Sequence, residues 1–141
     1  MYYSELVKRA SEISFKAHKD DVDKAGYPYI LHPAYLAFQM NDEITTCVAF
    51  LHDVIEDHGD KYSFEYLEKE GFYKEIIDAL KLLTHDPSIP YDKYIEKIKT
   101  NKYATEVKKA DLIHNLNSSR IGGSKLPKFE KYENALKYLE K

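Results

Sequence analysis

The densest concentration of reactive side chains is Val48-Ala49-Phe50-Leu51-His52-Asp53-Val54-Ile55-Glu56-Asp57, a histidine and three carboxylates inside an apolar run. Read as one helix, His52 lies a turn from Glu56, and Asp53 a turn from Asp57. Ile44, Val48, Leu51 and Ile55 supply a core stripe at helical spacing. A carboxylate left unpaired in such a setting costs on the order of 2–7 kcal/mol, so it needs a partner. A divalent cation is the simplest partner for an adjacent His-Asp pair. A helix with a charged solvent face is the plainer alternative.

Two further stretches offer donors. His32 precedes Pro33, and a proline is well placed to open a helix. The turn would fix His32 at the helix mouth, which suits a metal ligand. Asp111, His114 and Asn115 fall at i, i+3 and i+4, a polar trio that continues the apolar stripe of Val107 and Ala110. Two helices with inward polar groups suggest a shared site between them; a small internal hydrogen-bond network is the alternative.

His32, His52, Asp53 and Asp111 together make a mixed nitrogen/oxygen set, which favours manganese, iron or zinc over calcium or magnesium. Such an ion makes hydroxide accessible near neutral pH. Glu56 and Asp57, a turn further on, are placed to orient water or take its proton. Lys24, Lys109 and Arg120 are candidates to neutralise a phosphate. His85, in the loop Thr84-His85-Asp86-Pro87-Ser88-Ile89-Pro90, either reaches a phosphate or is an exposed loop residue. Metal-assisted hydrolysis of a phosphate ester follows, although spacing alone does not select phosphate from other hydrolysable groups.

The elements that must position these groups read as all-α, about seven or eight short helices. A first helix over 4–19 turns Leu6, Ala10, Ile13 and Ala17 inward, widened by Val7 and Phe15, with His18 as a polar residue near its end. Gly26 and Pro28 break the loop 20–33. Helices follow over 33–40, from an Asp42 N-cap through Asp57 to a stop at Gly59, from Ser63 to Glu70, over 73–84, over 91–100 with Asn101 as its stop, and over 104–118. Gly122-Gly123-Ser124 read as a link to a last helix over 127–140.

The 141 residues carry a formal charge of -3, which suits one compact domain over 1–141 and argues against non-specific nucleic-acid binding. No apolar run approaches the ~20 residues of a membrane span, and the N-terminus lacks the pattern of a signal peptide. The single cysteine, Cys47, reads as a small buried filler. A cytoplasmic setting is expected.

Three blocks now combine: Pro28-Tyr29-Ile30-Leu31-His32-Pro33, Leu51-His52-Asp53-Val54-Ile55-Glu56-Asp57 and Val107-Lys108-Lys109-Ala110-Asp111-Leu112-Ile113-His114-Asn115. In order and rough spacing they resemble the HD-domain metal-dependent phosphohydrolases, and within them the hydrolase domain of RelA/SpoT-type enzymes and the small alarmone hydrolases. The resemblance implies one manganese ion, or another divalent transition metal, on His32, His52, Asp53 and Asp111. It implies water activation by Glu56 and Asp57 and a nucleotide contact at Asn115. The reaction implied is removal of the 3′-pyrophosphate of guanosine tetraphosphate or pentaphosphate; Lys24, His85 and Arg120 are the substrate-contact candidates that the residues themselves offer.

The first loop departs from the family's pattern. A Gly-Gln reads Asp20-Asp21, and a basic pair that packs on guanine reads Asp23-Lys24. The threonine-lysine after the fifth helix reads Thr84-His85. An aspartate cannot stack as a guanidinium does. Another nucleotide, a small phosphomonoester or a non-catalytic nucleotide-binding module are therefore the alternatives.

Overall fold

Four side-chain caps set helix starts that periodicity leaves open. Ser4 accepts from the Val7 amide, Asp42 from Thr45, Ser63 from Tyr66, and Asn101 from both Tyr103 and Ala104. Each satisfies a donor that the first helical turn leaves without an intrahelical partner. The computed structural model describes residues 1–117 and 128–141, so Arg120 and Gly122-Gly123-Ser124 lie outside the described residues.

The described residues form nine helices: α1 (Glu5–Ala17), α2 (Leu31–Phe38), α3 (Glu43–Leu51), α4 (Val54–His58), α5 (Phe64–Lys69), α6 (Lys74–Leu83), α7 (Tyr91–Lys99), α8 (Lys102–Asn115) and α9 (Phe129–Glu140). Extended pairing among them is confined to one bridge, Val22 with Pro28. The all-α expectation holds. None of these helices is long and apolar enough to cross a membrane.

The centre of the molecule is α3. Every residue from Thr45 to Leu51 is buried, and α1, α2, α6 and α8 pack around it. A helix apolar on all sides belongs in the middle of a bundle. Cys47 is fully buried there, as a filler should be, and burial pushes its thiol up to about 12. Around it, α1 and α6 bury one face each, Leu6, Val7, Ala10, Ile13 and Ala17 on the first and Ile76, Ile77, Leu80 and Leu83 on the second.

Four details differ from the sequence expectation. The helix expected from Asp42 to Asp57 is two helices, α3 and α4, broken at His52–Asp53. The helix expected at Pro33 begins at Leu31, so His32 sits inside its first turn, where Pro33 lacks no hydrogen bond that the helix needs. Asn101 starts α8 rather than stopping α7, because its side chain reaches forward to two amides. Phe15 is exposed, since half a helical revolution separates it from Leu6.

Gly59 follows α4 with φ −64°, so left-handed backbone is not the reason for glycine; a Cβ there would lie 2.7 Å from the Ile55 carbonyl oxygen. Gly26 does require the left-handed region, with φ +89°. Asp23 closes that turn: its Oδ1 accepts from the amides of Ala25 and Tyr27.

Candidate metal centre

The α3–α4 break is where the site begins. His52 turns its ring back so that Nδ1–H donates to the Ala49 carbonyl at 2.7 Å. A side chain bonding into the helical ladder is a known cause of a break. Asp53 follows with φ −108° and ψ −2°, and α4 restarts at Val54.

That bond fixes the chemistry of the other nitrogen. With the proton on Nδ1, His52 Nε2 carries a lone pair. It faces Asp53 Oδ2 at 3.0 Å and Asp111 Oδ1 at 3.7 Å, both acceptors when ionised, and it is buried without a hydrogen-bond partner among the described residues. Without a cation the conflict is relieved by a proton between the groups, and the ring takes it, since, against burial, the neighbouring histidine charge holds Asp53 low. Burial pulls the imidazole down, but Asp53 and Asp111 outweigh it and raise the His52 pKa well above the ordinary value.

His32 closes the cluster from α2. Its Nε2 lies 2.8 Å from Asp111 Oδ1, and His32, His52 and Asp53 each offer a ligand atom within 4.8 Å of the others. Donors from α2, the α3–α4 turn and α8 therefore converge, as the sequence expects of His32, His52, Asp53 and Asp111. The set fits a divalent cation: a lone pair aimed at carboxylates is what such an ion would resolve.

The surrounding groups support that fit. For His32 Nε2 to present its lone pair, the proton must sit on Nδ1, and His114 Nδ1 lies 2.7 Å away to accept it. The two imidazole rings are coplanar, as that in-plane bond requires, and Tyr35 stacks on His114 with centroids 4.3 Å apart. Asn115 Nδ2 donates to Asp111 Oδ1 at 3.0 Å, and Lys108 Nζ bonds Asp111 Oδ2 at 2.9 Å. Burial raises the Asp111 carboxyl, but Lys108 foremost, then His32 and His52, drive it well below the usual range. The Tyr29 hydroxyl donates to Asp53 Oδ2, and burial followed by the Asp53 charge pushes that phenol up, so it remains a donor.

Glu56 and Asp57 stand on α4, exposed to solvent. Glu56 Oε1 accepts from the His85 backbone amide at 2.7 Å, which ties α4 to the loop before α7. Partial burial of the carboxyl against its neighbours, then the charges of Asp53 and Glu56, push Asp57 up to about 6. The His85 ring turns into its own loop, where Nε2–H donates to the Ile89 carbonyl and the ring packs on Tyr94. Lys24 is exposed beside Asp23. A cavity of about 390 Å³ opens next to the cluster, lined by Asp23, Tyr27, Leu31, Tyr35, Phe38 and the rings of His32 and His114.

Sequence reasoning missed Tyr29 and Lys108 and left His114 without a role. Lys108 was within reach of the rule that joined Asp111 to His114, since it lies at i−3 from Asp111. Tyr29 and His114 are set by tertiary approach, to which no spacing points.

An all-α bundle with a His-Asp pair at a helix break, a histidine from an earlier helix and an aspartate from a later one defines an HD-type domain. Its relatives are specific. Over 129 residues the chain is 30% identical to a probable GTP pyrophosphokinase of Mycobacterium leprae, covering 82% of this chain and 16% of that protein. Over 93 residues it is 34% identical to a guanosine-3′,5′-bis(diphosphate) 3′-pyrophosphohydrolase of Aquifex aeolicus, covering 63% of this chain and 13% of that one. In structure it matches a metazoan ortholog of SpoT described as hydrolysing ppGpp and acting in starvation responses. The TM-score there is 0.76 at 23% identity, covering 99% of this chain and 85% of the other. No family model matches the chain. By fold and by sequence kinship it belongs with the RelA/SpoT-type HD hydrolase domains. It spans about a sixth or less of the length of these curated relatives.

Proposed function

We propose that residues 1–141 act as one HD-type domain that hydrolyses a pyrophosphate or phosphate ester of a nucleotide, with the 3′-pyrophosphate of a guanosine tetraphosphate or pentaphosphate as the foremost substrate. The observation that carries this reading is the His52 Nε2 lone pair, buried and facing Asp53 and Asp111. His32, His52, Asp53 and Asp111 would hold the ion, for which manganese is proposed; when bound it supplies Lewis acidity to water and to a phosphate oxygen.

The chain's own residues do the rest. Glu56, braced by the His85 amide, orients the attacking water. Asp57 takes its proton, a role that suits a carboxyl poised near neutrality. Asn115 and Lys108 hold Asp111 in place, and Tyr29 holds Asp53. The cavity beside His32 takes the nucleoside, with Tyr27 and Tyr35 as flat surfaces for a base. Lys24 and Arg120 are proposed to meet the phosphates. The substrate class is supported by the name of the Aquifex relative and by the match to the SpoT ortholog.

A second reading has its own support. Asp23 takes the place of a base-stacking cation and is occupied in closing its turn. Guanine would then be held by the aromatic cavity alone, and another nucleotide or a phosphomonoester becomes the substrate. A panel of guanosine tetraphosphate, other nucleotides and phosphomonoesters with manganese-loaded protein separates the two. The proposal expects His52→Ala to lose the metal, and Glu56→Ala to keep the metal and lose turnover. Equal hydrolysis by parent and both variants would sink it, and binding without turnover across the panel would leave a regulatory module.

A further inference from the structure

A second group of donors lies outside the site just described. Asp21 Oδ2 is 2.9 Å from His18 Nδ1 and 2.6 Å from His58 Nε2, and the three residues offer ligand atoms within 4.8 Å of one another. They come from three places: the C-terminal end of α1, the loop after it, and the last residue of α4. The geometry points to a second divalent-cation site on His18, Asp21 and His58, of the borderline class that zinc represents.

Three observations support it. His18 is fully buried, and it is Nδ1 that faces the cluster, 2.9 Å from Asp21 Oδ2, so the ring presents that nitrogen to it. Asp21 is held in register by its backbone, its amide donating to the His18 carbonyl and its carbonyl accepting from Tyr29, so the carboxylate is presented rather than mobile. His58 and Asp21 remain 26% and 31% exposed, which leaves a wet side for water to complete the coordination. Two imidazoles and one carboxylate with open positions form a recurrent set for such ions.

The position gives the site a purpose. The His18 ring packs on Tyr29, whose hydroxyl reaches Asp53, and His58 is on the same short helix as Glu56 and Asp57. A cation here clamps the loop 18–30 to α4 and so braces both sides of the hydrolytic centre. It is independent of which substrate that centre takes.

The test counts metal. Untagged chain, stripped with chelator and re-equilibrated with Zn²⁺ alone, is assayed for bound zinc by mass spectrometry. His58→Leu is expected to hold one equivalent less than the parent, and His52→Ala to retain the equivalent that His58→Leu loses. If His58→Leu binds as much zinc as the parent, the site does not exist and the cluster is a hydrogen-bonded network. Circular dichroism checks the fold; should His58→Leu fail it, Asp21→Ala must show the same deficit, and parent-level zinc in that variant overturns the site equally.

Discussion

At the scale of single residues, the site is an exchange of charges, and two side chains expose it. Lys108 and Asp111 form a buried pair; burial pulls the Lys108 pKa down, but Asp111, Tyr94 and Tyr91 together raise it well above the ordinary value. Removing one member of such a pair strands the other, at about 3 kcal/mol or more. Lys108→Met should show that loss in urea unfolding with chelator present, and a smaller loss with manganese, because the ion replaces the missing charge. The pH sign follows from the depressed Asp111 carboxyl. The parent's advantage is full above the ordinary carboxylate range and fades as acid reaches the folded value. Asp57 runs the other way. Its folded pKa, about 6, lies above the unfolded value, so the folded state holds the proton more tightly and stability falls as pH rises from about 4 to 6. Asp57→Asn removes that slope. Without metal it should melt higher than the parent above pH 6, by a margin that vanishes near pH 4, while hydrolysis is lost. Equal melting at pH 7 and pH 4.5 would show that Asp57 is not under this strain.

At the scale of elements, the break between α3 and α4 decides the geometry, and it was not legible in the sequence. The apolar stripe Ile44-Val48-Leu51-Ile55 runs through it without a phase change, and neither proline nor glycine marks it. The break comes from one side-chain bond, His52 to Ala49, whose energy periodicity does not register. The helices themselves were legible because caps and apolar faces agree: Ser4, Asp42 and Ser63 start helices where their spacing says they should. The four proposed metal donors were legible as chemically improbable residues among apolar helix positions. Tyr29 was not, because its partner is fixed only by the fold: the loop 18–30 carries it across to the break, where it bonds Asp53. Second ligand-orienting bonds of this kind are worth about 10–100-fold in metal affinity. Tyr29→Phe should therefore weaken manganese binding by about ten-fold in calorimetric titration, with helical content unchanged. An unaltered affinity would mean that the turn alone orients Asp53.

At the scale of the whole molecule, the proposed ligands are spread so widely that binding an ion and folding would become one equilibrium. His32 and Asp111 are 79 residues apart in sequence and 2.8 Å apart in the fold, and His52 and Asp53 join them from the turn between α3 and α4. An unfolded chain cannot gather these groups, so a cation that binds them favours the folded state alone. The gain is RT ln(1 + [L]/Kd), about 2.7 kcal/mol when the ion is a hundred-fold above its dissociation constant. For a chain of 141 residues, a gain of that size corresponds to a rise in Tm of about 5–10 °C. Thermal scans in chelator and in saturating manganese should differ by that amount, and the difference should grow with the logarithm of manganese concentration. His52→Ala should melt lower than the parent and lose the manganese dependence, because its remaining donors no longer close around one point. A parent protein that melts at the same temperature in chelator and in manganese would show that the four side chains meet without acting as a site.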